Sequence, residues 1–140
     1  MEKAARIILR FLEAVPLSAL ASFCECVMLL VYFVDRKHRR IARINLRIAF
    51  PEMGDPEAER IIRACYRQMG TSAAEFVHLP KMDAAYIREH FRIEGASHVR
   101  ESMEVRKQPA MGMTGHFGNW ELLSHVYGVM IAPVGFIVRR

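Results

Sequence analysis

The sequence predicts an α/β fold that is preceded by an N-terminal membrane helix and by further helical segments. An almost uncharged apolar run extends from Ala14 to Val34. Between that run and about residue 79, apolar residues recur at helical spacing. In the last third, short strand-like segments alternate with helix-like ones, which is the pattern of an α/β layer. At 140 residues, the chain has the length of one domain.

The run from Ala14 to Val34 is a membrane candidate because Glu25 is its only charged residue. About 20 predominantly apolar residues suffice to cross a bilayer as a helix, although a carboxylate in the hydrocarbon is costly. The run therefore predicts a spanning or deeply re-entrant helix, or else one that lies on the membrane surface or in a soluble core. We expect residues 1–35 to form the membrane anchor. More basic residues follow the run than precede it, which predicts that the chain from Arg36 onward is cytoplasmic.

A basic amphipathic helix is predicted after Asp35, which is a good helix cap. Ile41, Ile44 and Ile48 recur at steps of three and four, with arginines between them. Such a helix lies near lipid head groups or turns its basic face to solvent, and the pattern leaves both open. Asp55 begins another predicted helix, whose apolar stripe we interpret as core. This stripe comprises Ile61, Ile62, Cys65, Tyr66, Met69, Ala73, Phe76 and Val77.

The last third is where the sheet is predicted. Helices are predicted from Asp83 to about His90, over 96–106 and over 119–130. Strands are predicted for "FRIEG" (91–95), "PAMGMTG" (109–115) and "PVGFIV" (133–138). This order predicts the opening of an α/β layer.

Composition excludes a disordered chain and indicates acidic partners. Apolar residues make up 52% of the chain, charged residues make up 25%, and the formal net charge is +5. This balance suits phosphates, anionic lipid heads, nucleic acid or acidic proteins, without choosing among them. The three cysteines have no metal-binding spacing and are expected to be buried, reduced thiols.

His116 and Glu121 are candidate catalytic residues in the stretch "GHFGNWEL". Gly115 and Gly118 permit a tight backbone and Asn119 is a good helix cap, so we expect His116 in a loop and Glu121 in the first helical turn. A neutral imidazole there can take a proton from an attacking hydroxyl, while the carboxylate orients it and stabilises the imidazolium. The helix N-terminus offers N–H groups to an anion. No obvious serine or cysteine nucleophile lies in this segment, which favours direct transfer to a hydroxyl acceptor.

The spacing alone leaves catalysis and structure open, because a His-x4-Glu pair is more often structural. A metal site is not predicted, since no further histidine or carboxylate stands at ligand spacing. The remaining histidines are scattered singly and are interpreted as surface residues or as core residues with hydrogen-bond partners. They are His38, His78, His90, His98 and His125.

The wider sequence around this motif resembles one family. "TGHFGNWEL" resembles the signature of the bacterial lipid A biosynthesis (lauroyl/myristoyl) acyltransferases, within the broader glycerolipid acyltransferases that carry a His-x4-Asp/Glu motif. "RIARINLRIAFPE" (40–52) is similar to the arginine-rich segment that follows the N-terminal membrane helix of this family. "FRIEG" resembles the strand before the motif, and "GFIVRR" (135–140) the next strand with its terminal arginine.

The resemblance implies an inner-membrane acyltransferase that faces the cytoplasm. Such an enzyme moves a fatty acyl group from an acyl carrier protein thioester to a hydroxyl of a lipid A precursor or related membrane glycolipid. His116 matches the base and Glu121 its partner. Gly118, Asn119 and either Arg139 or Arg140 match positions that bind substrate. No cofactor, metal or nucleic acid is implied.

The resemblance also implies a fold that is glycerolipid acyltransferase-like but incomplete. Residues 36–140 are expected to be the N-terminal part of a truncated cytoplasmic acyltransferase domain. The 140-residue chain by itself is not expected to turn over substrate. The alternative is a truncated, non-catalytic membrane-associated protein that retains the motif.

Overall fold

The computed structural model describes residues 2–115, 118–133 and 135, and the chain divides after His78 into two compact units. The helices of the first unit are α1 (Glu2–Ala14), α2 (Leu17–Val34), α3 (Arg36–Ala49) and α4 (Asp55–His78). A 3₁₀ turn (Leu79–Lys81) then begins the second unit. Its helices are α5 (Ala84–His90), α6 (Ala96–Arg100), which continues as a π-helical turn (Glu101–Val105), and α7 (Trp120–Met130).

Helix α4 is the central helix of the first unit, and α2 packs along it. The buried residues of α4 recur every fourth position: Ala58, Ile62, Tyr66, Gly70, Ala74 and His78. Residues four apart form a ridge along a helix, and two such ridges pack closely when small residues lie between large ones. The predicted stripe is therefore wrong in part, because Met69 and Phe76 are 56% and 57% exposed. Cys26 and Cys65 are exposed as well, contrary to the expected burial of the thiols.

The two helices come closest at Gly70. A Cβ atom on this residue would lie 2.6 Å from the backbone nitrogen of Glu25 and 2.7 Å from the carbonyl carbon and oxygen of Cys24. Only glycine fits without displacing one helix backbone from the other. Beside this approach, the Glu25 carboxylate accepts hydrogen bonds from Arg67 at 3.0 Å and from the Thr71 hydroxyl at 3.0 Å.

A polar cluster joins the C-terminal end of α2 to α3 and α4. The Tyr32 ring is 1% exposed, and its hydroxyl donates a hydrogen bond to Glu59. Arg43 of α3 donates to the other oxygen of Glu59 at 2.6 Å. Tyr66 donates to Asp35 at 3.0 Å, and burial together with this bond raises the pKa of Tyr66. The end of α2 is thus held by hydrogen bonds as well as by apolar contact.

Side-chain caps place the helix boundaries where the sequence predicts them. Asp35 accepts a hydrogen bond from the backbone N–H of His38, and Asp83 accepts one from that of Tyr86. Hydrogen bonds lower the pKa of Asp35. The largest effect comes from the backbone N–H of His38, followed by the His38 imidazole and the Tyr66 hydroxyl. The predicted cap at Asp35 is confirmed, and the helix that was predicted to begin at Asp83 is present with Asp83 as its cap.

Among the other histidines, His78 and His38 have contacts that explain a structural role. His78 is buried, and its ring nitrogens lie 3.1 Å from the Ala74 carbonyl oxygen and 3.0 Å from that of Val15. His38 is exposed and pairs with Asp35. These contacts agree with the interpretation of such histidines as surface residues or partnered core residues.

The second unit has its buried apolar side chains on α5, on α7 and just before α5. Ile87 of α5 is fully buried. Leu122 and Val126 of α7 and Met82, which precedes α5, are almost fully buried. His125 of α7 donates a hydrogen bond to the Met82 carbonyl oxygen at 2.9 Å. These contacts fix α7 against the segment that contains α5.

The predicted α/β fold is wrong for the residues that the structure describes, because they contain helices and no strand. Residues 91–95 lead from α5 into α6, and residues 109–115 have no regular structure. Met111 and Met113 are 93% and 99% exposed. A strand needs a neighbour to accept and donate its backbone hydrogen bonds, and none lies alongside either segment in the described part of the chain. Of the third predicted strand, 133–138, only residues 133 and 135 are described.

Candidate active site

The candidate site falls partly within the described chain. Glu121 lies in the first turn of α7, Asn119 caps this helix and Gly118 precedes the cap. Three predicted site residues, His116, Arg139 and Arg140, lie outside the described residues. The structure therefore defines the carboxylate side of the predicted dyad and the turn that leads to it.

Gly118 and Asn119 form this turn through their backbone conformations. Gly118 has φ of 63°, in the left-handed region that side chains with a Cβ rarely adopt. Asn119 then begins the helix, since its side-chain oxygen accepts a hydrogen bond from the backbone N–H of Leu122 at 3.1 Å. The sequence-based prediction of a tight turn at Gly118 and a cap at Asn119 is confirmed.

The burial of α7 positions Glu121. Leu122 and Val126 are 8% and 5% exposed, and they occupy one side of the helix. At the other end, Arg100 donates a hydrogen bond to the Met130 carbonyl oxygen at 3.2 Å, where a cation is favourable for a helix C-terminus. With both ends and one side fixed, the half-buried Glu121 is held at the start of α7. A carboxylate is also favoured there by the helix dipole.

The position of Glu121 is compatible with a role in proton transfer. A carboxylate at the start of a helix, with a histidine just before the turn, has the chain connectivity of a base and its supporting acid. The described residues contain no group of three histidine, cysteine or carboxylate side chains that would hold a metal ion. Helix α7 begins at Trp120, and the N-terminus of a helix is a favourable position for a bound anion.

Comparison with known proteins identifies the family. A family described as bacterial lipid A biosynthesis acyltransferase matches residues 4–140. The chain belongs to this family. This family is one of acyltransferases, which supports transferase activity and implies an acyl donor and a lipid acceptor in general terms. No curated protein and no solved structure gives a significant match.

The family match covers residues of both units. The first unit contains a groove of about 550 Å³ beside the contact of α2 with α4, which the sequence did not lead us to predict. Arg60, Arg63 and Arg67 line it from α4, while Glu25 and Leu29 line it from α2. These arginines are three and four residues apart, which places them on one face of α4. This spacing was the sequence signal from which a basic face of α4 could have been predicted. In this member of the family, the groove lies in a different unit from Glu121.

Proposed function

We propose that the protein transfers a fatty acyl group from an acyl carrier protein thioester to a hydroxyl of a lipid A precursor or related membrane glycolipid. His116 is the general base and Glu121 orients it. The observation that carries this proposal is the position of Glu121, in the first turn of a capped helix directly after the left-handed Gly118. Membership of the family supports the class of reaction.

The proposed reaction needs only one base. The imidazole of His116 takes the proton of the acceptor hydroxyl as the hydroxyl oxygen attacks the thioester carbonyl carbon. The carbon–sulfur bond then breaks, and the imidazolium returns its proton to the departing thiolate, which leaves an ester and a free thiol. Glu121 accepts a hydrogen bond from the other ring N–H and stabilises the imidazolium. The first-turn N–H groups of α7 suit the oxyanion that forms at the carbonyl.

Membrane location completes the proposal. Among the described residues, Leu17–Val34 is the one helix long and apolar enough to cross a bilayer. We place the protein at the inner membrane with the chain from Arg36 onward in the cytoplasm, where acyl carrier protein is available, and we assign residues 36–140 to the acyltransferase domain. Gly118 and Asn119 shape the substrate-binding turn, and Arg139 or Arg140 binds an anionic group of the substrate.

The test is acyl transfer by the intact protein that carries these residues, purified in mild detergent. His116→Ala is expected to lower turnover about 10²–10⁴-fold. Glu121→Gln lowers it as well, because the imidazole loses its charged support. His98→Ala, at an exposed histidine in the same unit, is the matched control and retains activity. Supplying the acyl chain on acyl carrier protein or on coenzyme A tests the donor.

Two results would contradict the proposal. Near-normal transfer by His116→Ala would remove the base from the mechanism. Equal losses in His116→Ala and His98→Ala would show that the assay reports folding and not proton transfer. A helical circular dichroism spectrum identical to that of the unmodified protein is required of each variant, so that a loss of activity is assigned to chemistry.

A further inference from the structure

Helix α3 turns an apolar stripe away from the rest of its unit. Ile41, Ile44 and Ile48 are 45%, 46% and 75% exposed. The side chains that α3 packs against the buried Tyr32 cluster are instead Ala42 and Leu46. Burying isoleucine is worth more than burying alanine, because the gain follows the apolar area removed from water. The helix therefore keeps its larger apolar face available for a partner outside the unit.

The charges of α3 identify the chemistry of this partner. The helix contains no carboxylate, and its basic residues are Arg36, Lys37, Arg39, Arg40, Arg43 and Arg47. Arg43 and Arg47 pair with carboxylates of α4. Within the described residues, Arg36, Lys37 and Arg40 have no carboxylate within ion-pair distance. Unpaired basic residues beside exposed isoleucines match a surface that is anionic outside and apolar beneath, which is an anionic lipid bilayer.

Helix α2 presents a second apolar stripe of this kind. Phe23, Leu30 and Val34 are 63%, 66% and 80% exposed, and they recur along one face. The adjoining face packs on α4 through the buried Leu20 and Tyr32. One side of α2 is thus committed to protein, while another is left to an apolar environment.

Contact with α4 argues against α2 crossing the bilayer. Glu25 lies near the middle of α2 and pairs with Arg67 of α4 at 3.0 Å. If α2 spanned the membrane, α4 would have to lie beside it in the hydrocarbon. Arg60 and Arg67 are 77% and 60% exposed, so their charges would enter lipid largely uncovered. Each such charge at the bilayer centre is costly.

We propose that α2 and α3 both lie in the plane of an anionic membrane surface, with their exposed apolar stripes inserted among the lipids, and that α2 does not cross the bilayer. The unpaired basic residues of α3 contact lipid phosphates. This proposal rests on the membrane location in the proposed function but is independent of the His116–Glu121 dyad. Its tests measure lipid binding and depth and do not read acyl transfer.

The first test is co-flotation of the whole chain with vesicles of phosphatidylcholine, with or without about 30% phosphatidylglycerol. Ile48→Gln is expected to lower binding to the anionic vesicles about tenfold. Val105→Gln is the matched control, because Val105 is also 75% exposed but lies in the second unit. Binding that is equal on both vesicles, or equally reduced in the two variants, overturns the proposal. So does a result in which Ile48→Gln abolishes binding to acyl carrier protein and leaves vesicle binding unchanged.

The second test measures the depth of α2. Phe23→Trp and Val34→Trp are made separately with Trp120→Phe, and each tryptophan is quenched by lipids that carry bromine at different depths. The two positions are 11 residues apart. A spanning helix would separate them by about 16 Å along the bilayer normal, at about 1.5 Å per residue. We expect similar, shallow depths of about 5–10 Å below the head groups. A separation of about 16 Å overturns the proposal.

Discussion

Replacing Gly70 with alanine should push α2 and α4 apart. The added Cβ atom would lie 2.6 Å from the Glu25 nitrogen, whereas ordinary contact begins at 3.4 Å, so the helices must separate by about 0.8 Å. Overpacking of this kind costs about 1–3 kcal/mol. Alanine recovers up to about 1 kcal/mol through its higher helix propensity. The expected net effect of Gly70→Ala is a loss of about 1–2 kcal/mol in the free energy of unfolding.

Gly128→Ala is the matched control for Gly70→Ala. Gly128 is also helical, but a Cβ atom there would meet nothing within 4 Å. This substitution should therefore stabilise the protein by about 0.5–1 kcal/mol. The two alanine variants thus have opposite expected signs, although the chemical change is the same.

Thermal unfolding of both variants, followed by circular dichroism in mild detergent, measures the difference. For a unit of this size, each kcal/mol corresponds to a shift of about 4–8 °C in the melting temperature. Hydrogen exchange assigns the change to a unit, because Gly70→Ala should lower protection in α2 and α4 only. If Gly70→Ala is as stable as the unmodified protein, or is stabilised like Gly128→Ala, the close approach of the two helices is refuted.

Three further substitutions test local features. Asn119→Ala should cost about 1 kcal/mol in the free energy of unfolding, because α7 loses its cap; urea unfolding measures this. Asp35 has a lowered pKa in the folded protein, so its contribution to stability is present above about pH 4 and is lost as the pH falls through that lowered value. Asp35→Asn keeps a cap for His38 and should make the urea midpoint less sensitive to acid below about pH 4. Glu25→Leu should lower the melting temperature, because Arg67 loses its partner; a rise would show that the added apolar surface outweighs the ion pair.

Local features of the fold were predictable from the sequence, and pairings between distant segments were not. The caps at Asp35, Asp83 and Asn119 each act on a backbone N–H three residues ahead, so the residues that decide them are adjacent. Strands are stable only with a neighbour, and the segments 91–95 and 109–115 lack one among the described residues. Their residue preferences alone predicted a sheet, and the described part of the chain contains no strand.

The core side of α4 shows the same difference. Apolar residues such as Met69 and Phe76 dominate its sequence pattern, yet the buried ridge includes the small residues Gly70 and Ala74. Gly70 is required by the approach of α2, which is far away in sequence and does not alter the local pattern. For the site, the turn at Gly118 and the position of Glu121 followed from local signals.

The apolar residues of α2 both pack on α4 and form an exposed surface. Composition alone therefore could not decide whether α2 crosses the bilayer or lies between protein and membrane. Hydropathy is summed around the whole helix, so it counts Leu20 and Tyr32, which α4 covers, together with Phe23 and Leu30, which remain exposed. Only the exposed face is available to lipid, and a helix that is apolar on every side fits a site between protein and membrane as well as one within a bilayer. Glu25 separates the two cases, because its partner lies on α4. In a spanning helix, the pairing of Glu25 with an arginine of α4 would bring a charged helix into the hydrocarbon. In a helix that lies at the interface, this pair stays on the protein side while the aromatic and aliphatic residues face the lipid.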